Sequence, residues 1–258
     1  MSSALVSAAL ALLLLGALGY ARSAARRNAA LRERFEDSRG KLERLQGAFS
    51  RFAPHDVVDR LAAGQEPPAE RAEVTVMFAD LAGFTPLSER IEPAELVRIL
   101  NGYHDRMQRA IAAHRGHVAL LIGDGLLALF GAFERNPWQS DDAAHAALAM
   151  RAEIEAYNRE LGTEGLSPLA IGVGVHRGVV VTGLVGSREL WQWSAVGRTV
   201  NLAARVQDLT REQGVDILLT EPVRKALDPR FALRELPPRP VRGIAAPVTT
   251  WALERFVD

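Results

Sequence analysis

Asp80 and Asp124 are the two residues whose surroundings suggest chemistry. Asp80 ends the apolar run "VTVMFAD", and the small, helix-opening stretch "LAGFTPLSE" follows at once. Asp124 lies in Gly123-Asp124-Gly125, between the apolar runs "HVALLI" and "LLALFG". A Gly/Asp turn this short between such runs is a hairpin signal. If that hairpin pairs beside the first strand, both carboxylates meet at one edge of the sheet. They would repel each other unless a cation neutralised them. Oxygen ligands without a nearby histidine suit Mg²⁺ or Mn²⁺. Gly83, Phe84 and Thr85 form the turn after Asp80, and the backbone N–H groups of a helix start make an anion site. A metal beside a phosphate cradle points to nucleotide chemistry. Taken singly, each aspartate reads as a solvated turn residue. Their joint setting favours the chemical reading.

A second pair lies further along. Asn201 and Arg205 are four residues apart in "TVNLAARVQDLTREQG", which the pattern predicts to be a helix ending at Gly214. That spacing puts both side chains on one helix face, pointing into one cleft. Alone, Arg205 reads as an exposed helix arginine. His104, His114, His117, His145 and His176 show no metal-ligand spacing and are given no role.

These residues need a scaffold. "EVTVMFAD" is rich in β-branched residues and reads as a strand. Leu96, Ile99, Leu100, Tyr103, Met107 and Ile111 follow helical spacing. The stretch "SDDAAHAALAMRAEIEAYNREL" reads as an amphipathic helix with Ser140 as its cap and acids in its first turn. "LAIGVGVHRGVVVTGLVG" reads as a strand, a turn and a second strand, and "VDILLT" as another strand. The mixture is α/β.

The start of the chain differs in character. Residues 1–21 carry no charge and are almost wholly apolar, and about 20 such residues span a bilayer as a helix. Arg22, Arg26 and Arg27 follow, which predicts a cytoplasmic C-terminal side. A cleaved signal peptide is the rival reading, but it would want basic residues before the apolar run, and "MSSA" has none. The expectation is a single-pass anchor in the inner (plasma) membrane. Beyond it, Leu31, Phe35, Leu42, Leu45, Phe49 and Phe52 hold a and d positions of one heptad register, with Ser38 at the odd d position. This predicts a short parallel coiled-coil stalk; a single amphipathic helix packed on its own domain is the alternative. Pro54 ends that helix, and "AAGQEPPAERA" reads as a linker. The expected division is an anchor at 1–21, a helical stalk and linker at 22–72, and a catalytic domain at 73–258. Almost nothing precedes Ser2 to sense a ligand, so the expected source of a signal is a separate sensor partner or the membrane itself.

Composition excludes several classes. The 258 residues have a formal net charge of +0, so nothing favours wholesale nucleic-acid binding. With no cysteine, neither disulfide nor thiolate chemistry is available.

Four stretches carry a resemblance. "VTVMFADLAGFTPLSE", "LIGDGLLALFG", "GVGVHRGVVVTGLVG" and "VGRTVNLAARV" resemble, in order, the signatures of class III nucleotidyl cyclases, the adenylate/guanylate cyclase family. The stalk piece "FAPHDVVDRL" is similar to the segment that often precedes these domains. The resemblance implies a ferredoxin-like α/β (α+β) core working as a head-to-tail homodimer, with nucleotide bound between protomers. It implies that Asp80 and Asp124, helped by the Leu81 carbonyl, bind two Mg²⁺ or Mn²⁺ ions. It gives Asn201 the ribose, Arg205 the transition state from the opposite subunit, and Arg242 the phosphates, in place of the usual lysine. The expected reaction converts ATP to cyclic AMP, with GTP as the alternative substrate. A catalytically weak cyclase-homology module that dimerises and transmits a signal is the alternative function. The base-reading positions are Leu120, where the family usually has lysine, and Ser194, which stands in for threonine. Leu120 cannot donate a hydrogen bond, so weak discrimination between bases is expected.

Overall fold

The computed structural model describes residues 32, 35–41, 55–84, 91–187 and 190–257. The expected anchor at 1–21 lies outside the described residues, as do Leu31, Leu42, Leu45, Phe49, Phe52 and Thr85. Among the described residues, no helix is long and apolar enough to cross a membrane. Two compact units are present, Met1–Ala63 and Gly64–Asp258. In the first, residues 35–41 are helical, Phe35 is exposed, and helix α1 spans His55–Ala62.

The second unit contains, in order, β1 (Glu70–Ala82), α2 (Pro93–Ala113), β2 (Gly116–Ile122), β3 (Gly125–Phe130), α3 (Gln139–Thr163) and β4 (Ala170–Ser187). β5 (Leu190–Val196), α4 (Arg198–Gln213), β6 (Ile217–Thr220), α5 (Glu221–Arg224), β7 (Phe231–Arg239) and β8 (Val248–Phe256) follow. The sheet order is β2-β3-β1-β4-β6-β8-β7, and β5 pairs with β4. The first four strands are antiparallel to their neighbours in the order β2-β3-β1-β4. With α2 and α3 between them they make the ferredoxin-like βαββαβ unit that the resemblance implied.

β1 shows how the sheet divides its faces. Met77, Ala79 and Leu81 enter the main core with Tyr103 and Met107 of α2 and Met150 and Ile154 of α3. Alternation along a strand turns Phe78 and Asp80 to the opposite face. α4 packs on that face. A Cβ at Gly172 or Gly174 of β4 would collide with Thr210 or with the α4 backbone at Gln207. Glycine is needed there because the helix lies directly on the strand. Burial of each large core side chain contributes about 1.5–3 kcal/mol.

Several expectations need correction. Asp80 does not close its strand, since β1 runs on through Leu81 and Ala82. "LAIGVGVHRGVVVTGLVG" is one continuous strand, paired without a slip from Ala170 to Thr182 against β1. Within this stretch Gly178 makes room for Thr199 of α4, whose Oγ1 would lie 2.8 Å from an added Cβ. Ser140 does not cap α3. The cap position is Trp138, and Ser140 is buried with its Oγ 3.2 Å from Thr75 Oγ1. The end of α4 is as expected, with Gly214 in the left-handed region at φ 65°.

Candidate active site

The Gly123-Asp124 turn sits directly beside β1. Gly123 takes φ 63°, which lets β2 reverse tightly into β3. Leu126 of β3 pairs with Ala79, so the turn is delivered to the end of β1 that carries Asp80. A Cβ placed on Gly125 would lie 3.3 Å from Asp80 Oδ1. Asp124 and Asp80 are within hydrogen-bonding reach of each other. Burial first, then the charge and hydrogen bond of Asp124, push the Asp80 carboxyl up to about 6, while Arg211 and the Leu81 N–H pull the other way. The structure therefore brings the two acids together. Their mutual repulsion is the signature of a site that accepts a cation.

Two carboxylates and the Leu81 carbonyl make a donor set of oxygen only, which fits Mg²⁺ or Mn²⁺. Among the described residues there is no cluster of three or more His, Cys, Asp or Glu side chains, so nothing nearby suits a softer metal.

Arg211 was not anticipated from the sequence. Its Nη2 donates to Asp80 Oδ2 and to the Leu81 carbonyl, both at 3.1 Å. It is a basic residue in the last turn of α4, a position that the helix dipole alone accounts for.

Asn201 and Arg205 stand elsewhere on the same helix. Thr199, Ala203, Val206, Gln207, Leu209 and Thr210 are its buried positions, and Asn201 is exposed. At about 100° per residue, Arg205 is roughly 120° around the helix from Arg211. Among the described residues, no hydrogen bond or ion pair joins Asn201 or Arg205 to Asp80 or Asp124. Arg242 is exposed in the β7–β8 connection; its neighbour Val241 packs with Val206 and Leu209 of α4. One chain thus presents two separate groups, the acid pair reached by Arg211 and the Asn201–Arg205 pair, on different sides of α4.

The expected base-reading residues lie on β2 and β5, and by strand register Ser194 falls beside the Glu70 end of β1, away from Asp80. Leu120 pairs with Leu127, which pairs with Phe78 of β1, so Leu120 shares the sheet face of Phe78 and Asp80. Ser194 is buried on β5 opposite Gly183. Gln192, two residues before Ser194, donates to the carbonyl of Ala119 at 2.5 Å, which ties β5 to the strand carrying Leu120. Of the expected phosphate cradle, Gly83 is an exposed turn residue at φ 74° and Phe84 packs against the core.

Two further residues of α2, Tyr103 and His104, lie near the acid pair. Tyr103 is fully buried, and its hydroxyl has no hydrogen-bond partner among the described residues. Burial, and then the charges of Asp80 and Asp124, hold that hydroxyl in its protonated form. The His104 ring places Nε2 3.1 Å from the Gly123 carbonyl, which the Nε2–H tautomer satisfies by donating. The sequence offered no signal for either, because both occupy ordinary positions on an amphipathic helix.

Residues 67–255 match the adenylate and guanylate cyclase catalytic domain family. An adenylate cyclase of Anabaena cylindrica is 34% identical over 205 residues, covering 75% of this chain and 40% of that protein. The chain thus spans well under half the length of that relative. The crystal structure of the guanylyl cyclase Cya2 superposes with a TM-score of 0.68 at 29% identity, covering 74% of this chain and 96% of that one. The adenylyl cyclase CyaB from P. aeruginosa shares the fold, with a TM-score of 0.69 at 24% identity over 73% of this chain and 97% of that one. The match over residues 67–255, with the shared fold, shows that the chain belongs to the class III adenylate and guanylate cyclase catalytic domain family.

Proposed function

We propose that this chain converts ATP to 3′,5′-cyclic AMP and pyrophosphate, as a homodimer held at the inner (plasma) membrane by its first 21 residues with the catalytic domain in the cytoplasm. The observation that carries the reading is the approach of Asp80 and Asp124 beside the Leu81 carbonyl, where burial and like charge disfavour the Asp80 carboxylate in the absence of a cation. Those three groups would hold two Mg²⁺ or Mn²⁺ ions. When bound, the ions supply a lowered pKa for the ribose 3′-hydroxyl and charge for the triphosphate.

The remaining work falls to the protein. The 3′-hydroxyl oxygen attacks the α-phosphorus in line and its proton passes to solvent, the bond from that phosphorus to the bridging oxygen breaks, and pyrophosphate leaves. Asn201 orients the ribose. Arg205 places positive charge where negative charge develops on the phosphorus. Arg242 and the backbone N–H groups of residues 83–85 hold phosphate oxygens. Leu120 and Ser194 flank the base.

A dimer is favoured by two features. The two groups of one chain face different ways, so a second copy is needed to close an acid pair onto Asn201 and Arg205. The β4–β5 arm also carries a row of exposed apolar side chains: Val179, Val181 and Val185, with Val196 opposite Val181. Such a row on a charged protein marks an association surface. The membrane location rests on the uncharged segment 1–21 and the arginines after it. A sensor partner or the bilayer would supply the signal.

The test is to incubate the purified chain with ATP or GTP and Mg²⁺ or Mn²⁺ and to assay cyclic product. Cyclic AMP formation that needs the divalent ion is expected. No cyclic product from either nucleotide would reject the proposal.

A further inference from the structure

We propose that Arg211 is a built-in counter-cation of the acid pair, which a divalent ion must displace to bind. This rests on the reading of Asp80, Asp124 and Leu81 as the metal site. The inference comes from a double contact. One guanidinium nitrogen, Nη2, bonds both the Asp80 carboxylate and the Leu81 carbonyl at 3.1 Å. These are two of the three groups assigned to the ions. A divalent ion holding both oxygens at about 2.0–2.1 Å would lie in the space between them that Nη2 fills. Two cations cannot share that space, since they would repel and compete for the same lone pairs.

The contact is built to open. Arg211 has a side chain 55% exposed and Asp80 one 31% exposed, so the pair is partly solvated and weak. Arg211 also lines a cavity of about 650 Å³ together with Asp216 and Glu254. The Asp216 side chain is 42% exposed and the Glu254 side chain 45%. A displaced guanidinium can therefore swing away from Asp80 and remain near carboxylates. Arg151 and Arg234 already pair with those two acids, which keeps this second position loose rather than a trap. Arg205 does not share the role, because it lies on another side of α4.

The role is distinct from transition-state stabilisation, and it predicts an effect on metal binding without nucleotide. Mn²⁺ binding to the full chain is measured from the free-ion electron paramagnetic resonance signal, for the parent, Arg211→Gln, Arg211→Lys and Asp80→Asn. Arg211→Gln should bind Mn²⁺ roughly 1.5- to 5-fold more tightly, the scale of removing a partly exposed competing ion pair. Arg211→Lys should fall between the two, because an ammonium is a point charge without the guanidinium fork. It also carries the comparison if the glutamine variant does not fold. Unchanged or weaker Mn²⁺ binding in the Arg211 variants, with normal binding in the parent, overturns the displacement role and leaves the metal site standing. A parent that binds no better than Asp80→Asn overturns the metal site itself, and the role of Arg211 with it.

Discussion

In the proposed reaction Leu120 lies beside the purine edge, and its side chain can only pack against a ring. Ser194 can accept a hydrogen bond from an exocyclic amine, and Leu120 can supply nothing to adenine N1. Poor discrimination between ATP and GTP is the expected result, with a high KM for both. Leu120→Lys would add the missing donor. One recovered hydrogen bond at a desolvated site is worth about 1–3 kcal/mol, or roughly 5- to 150-fold in kcat/KM. The gain should appear for ATP alone, since guanine N1 carries a hydrogen and would face a second donor. Steady-state kinetics with both nucleotides checks this, and an equal gain for GTP would remove Leu120 from the base pocket. At this scale the sequence was legible where two like charges stood in unusual settings, as Asp80 and Asp124 do. Arg211, His104 and Gln192 were hidden, because their partners lie 131, 19 and 73 residues away and ordinary positions in helices or strands account for them.

β4 links the acid pair to the rest of the sheet, and His176 lies at its middle. The ring is bonded through Nδ1 to Thr220 Oγ1 of β6 at 2.8 Å, and burial pushes its pKa down to about 4. An unfolded chain would protonate this ring near the usual value of 6.5. Between those values the unfolded state binds more protons, so this contribution to stability is present above about 6.5 and is lost as pH falls toward 4. Asp80 acts with the opposite sign. Its pKa is raised from 3.8 to about 6, so its contribution is present below 3.8 and is lost as pH rises through about 6. That effect is common to parent and variant and cancels between them. His176→Gln should therefore lose less stability than the parent between pH 7 and pH 5, by about 1–2 kcal/mol after allowing for partial exposure. Denaturant titrations at both pH values measure the difference, and equal losses would contradict it. Elements with a clean period were legible: α2, the β2–β3 hairpin and α4 with its Gly214 end. β4 was misread because glycines that seat a helix look like turn glycines. β7 went unread because Pro237 and Pro238 argue against a strand, although an edge strand tolerates them.

The whole molecule joins a sheet that supplies acids to a helix that supplies Asn201 and Arg205 facing elsewhere. A site shared across two copies is the arrangement in which both become useful at once. In the proposed site, Asp80→Ala would remove a metal ligand, and Arg205→Ala would remove the charge that meets the reacting phosphorus. Each homodimer should fall by at least about 10²–10³-fold in cyclase activity, the scale of losing one such group. Mixing the two variants is the most direct test of the account. If each site takes Asp80 from one copy and Arg205 from the other, a heterodimer has one intact site, and the opposite site collects both lesions. Random pairing of equal amounts should restore about a quarter of the parental activity. Activity that stays at background on mixing, with subunit exchange shown by co-purification of differently tagged copies, would contradict a site shared between chains.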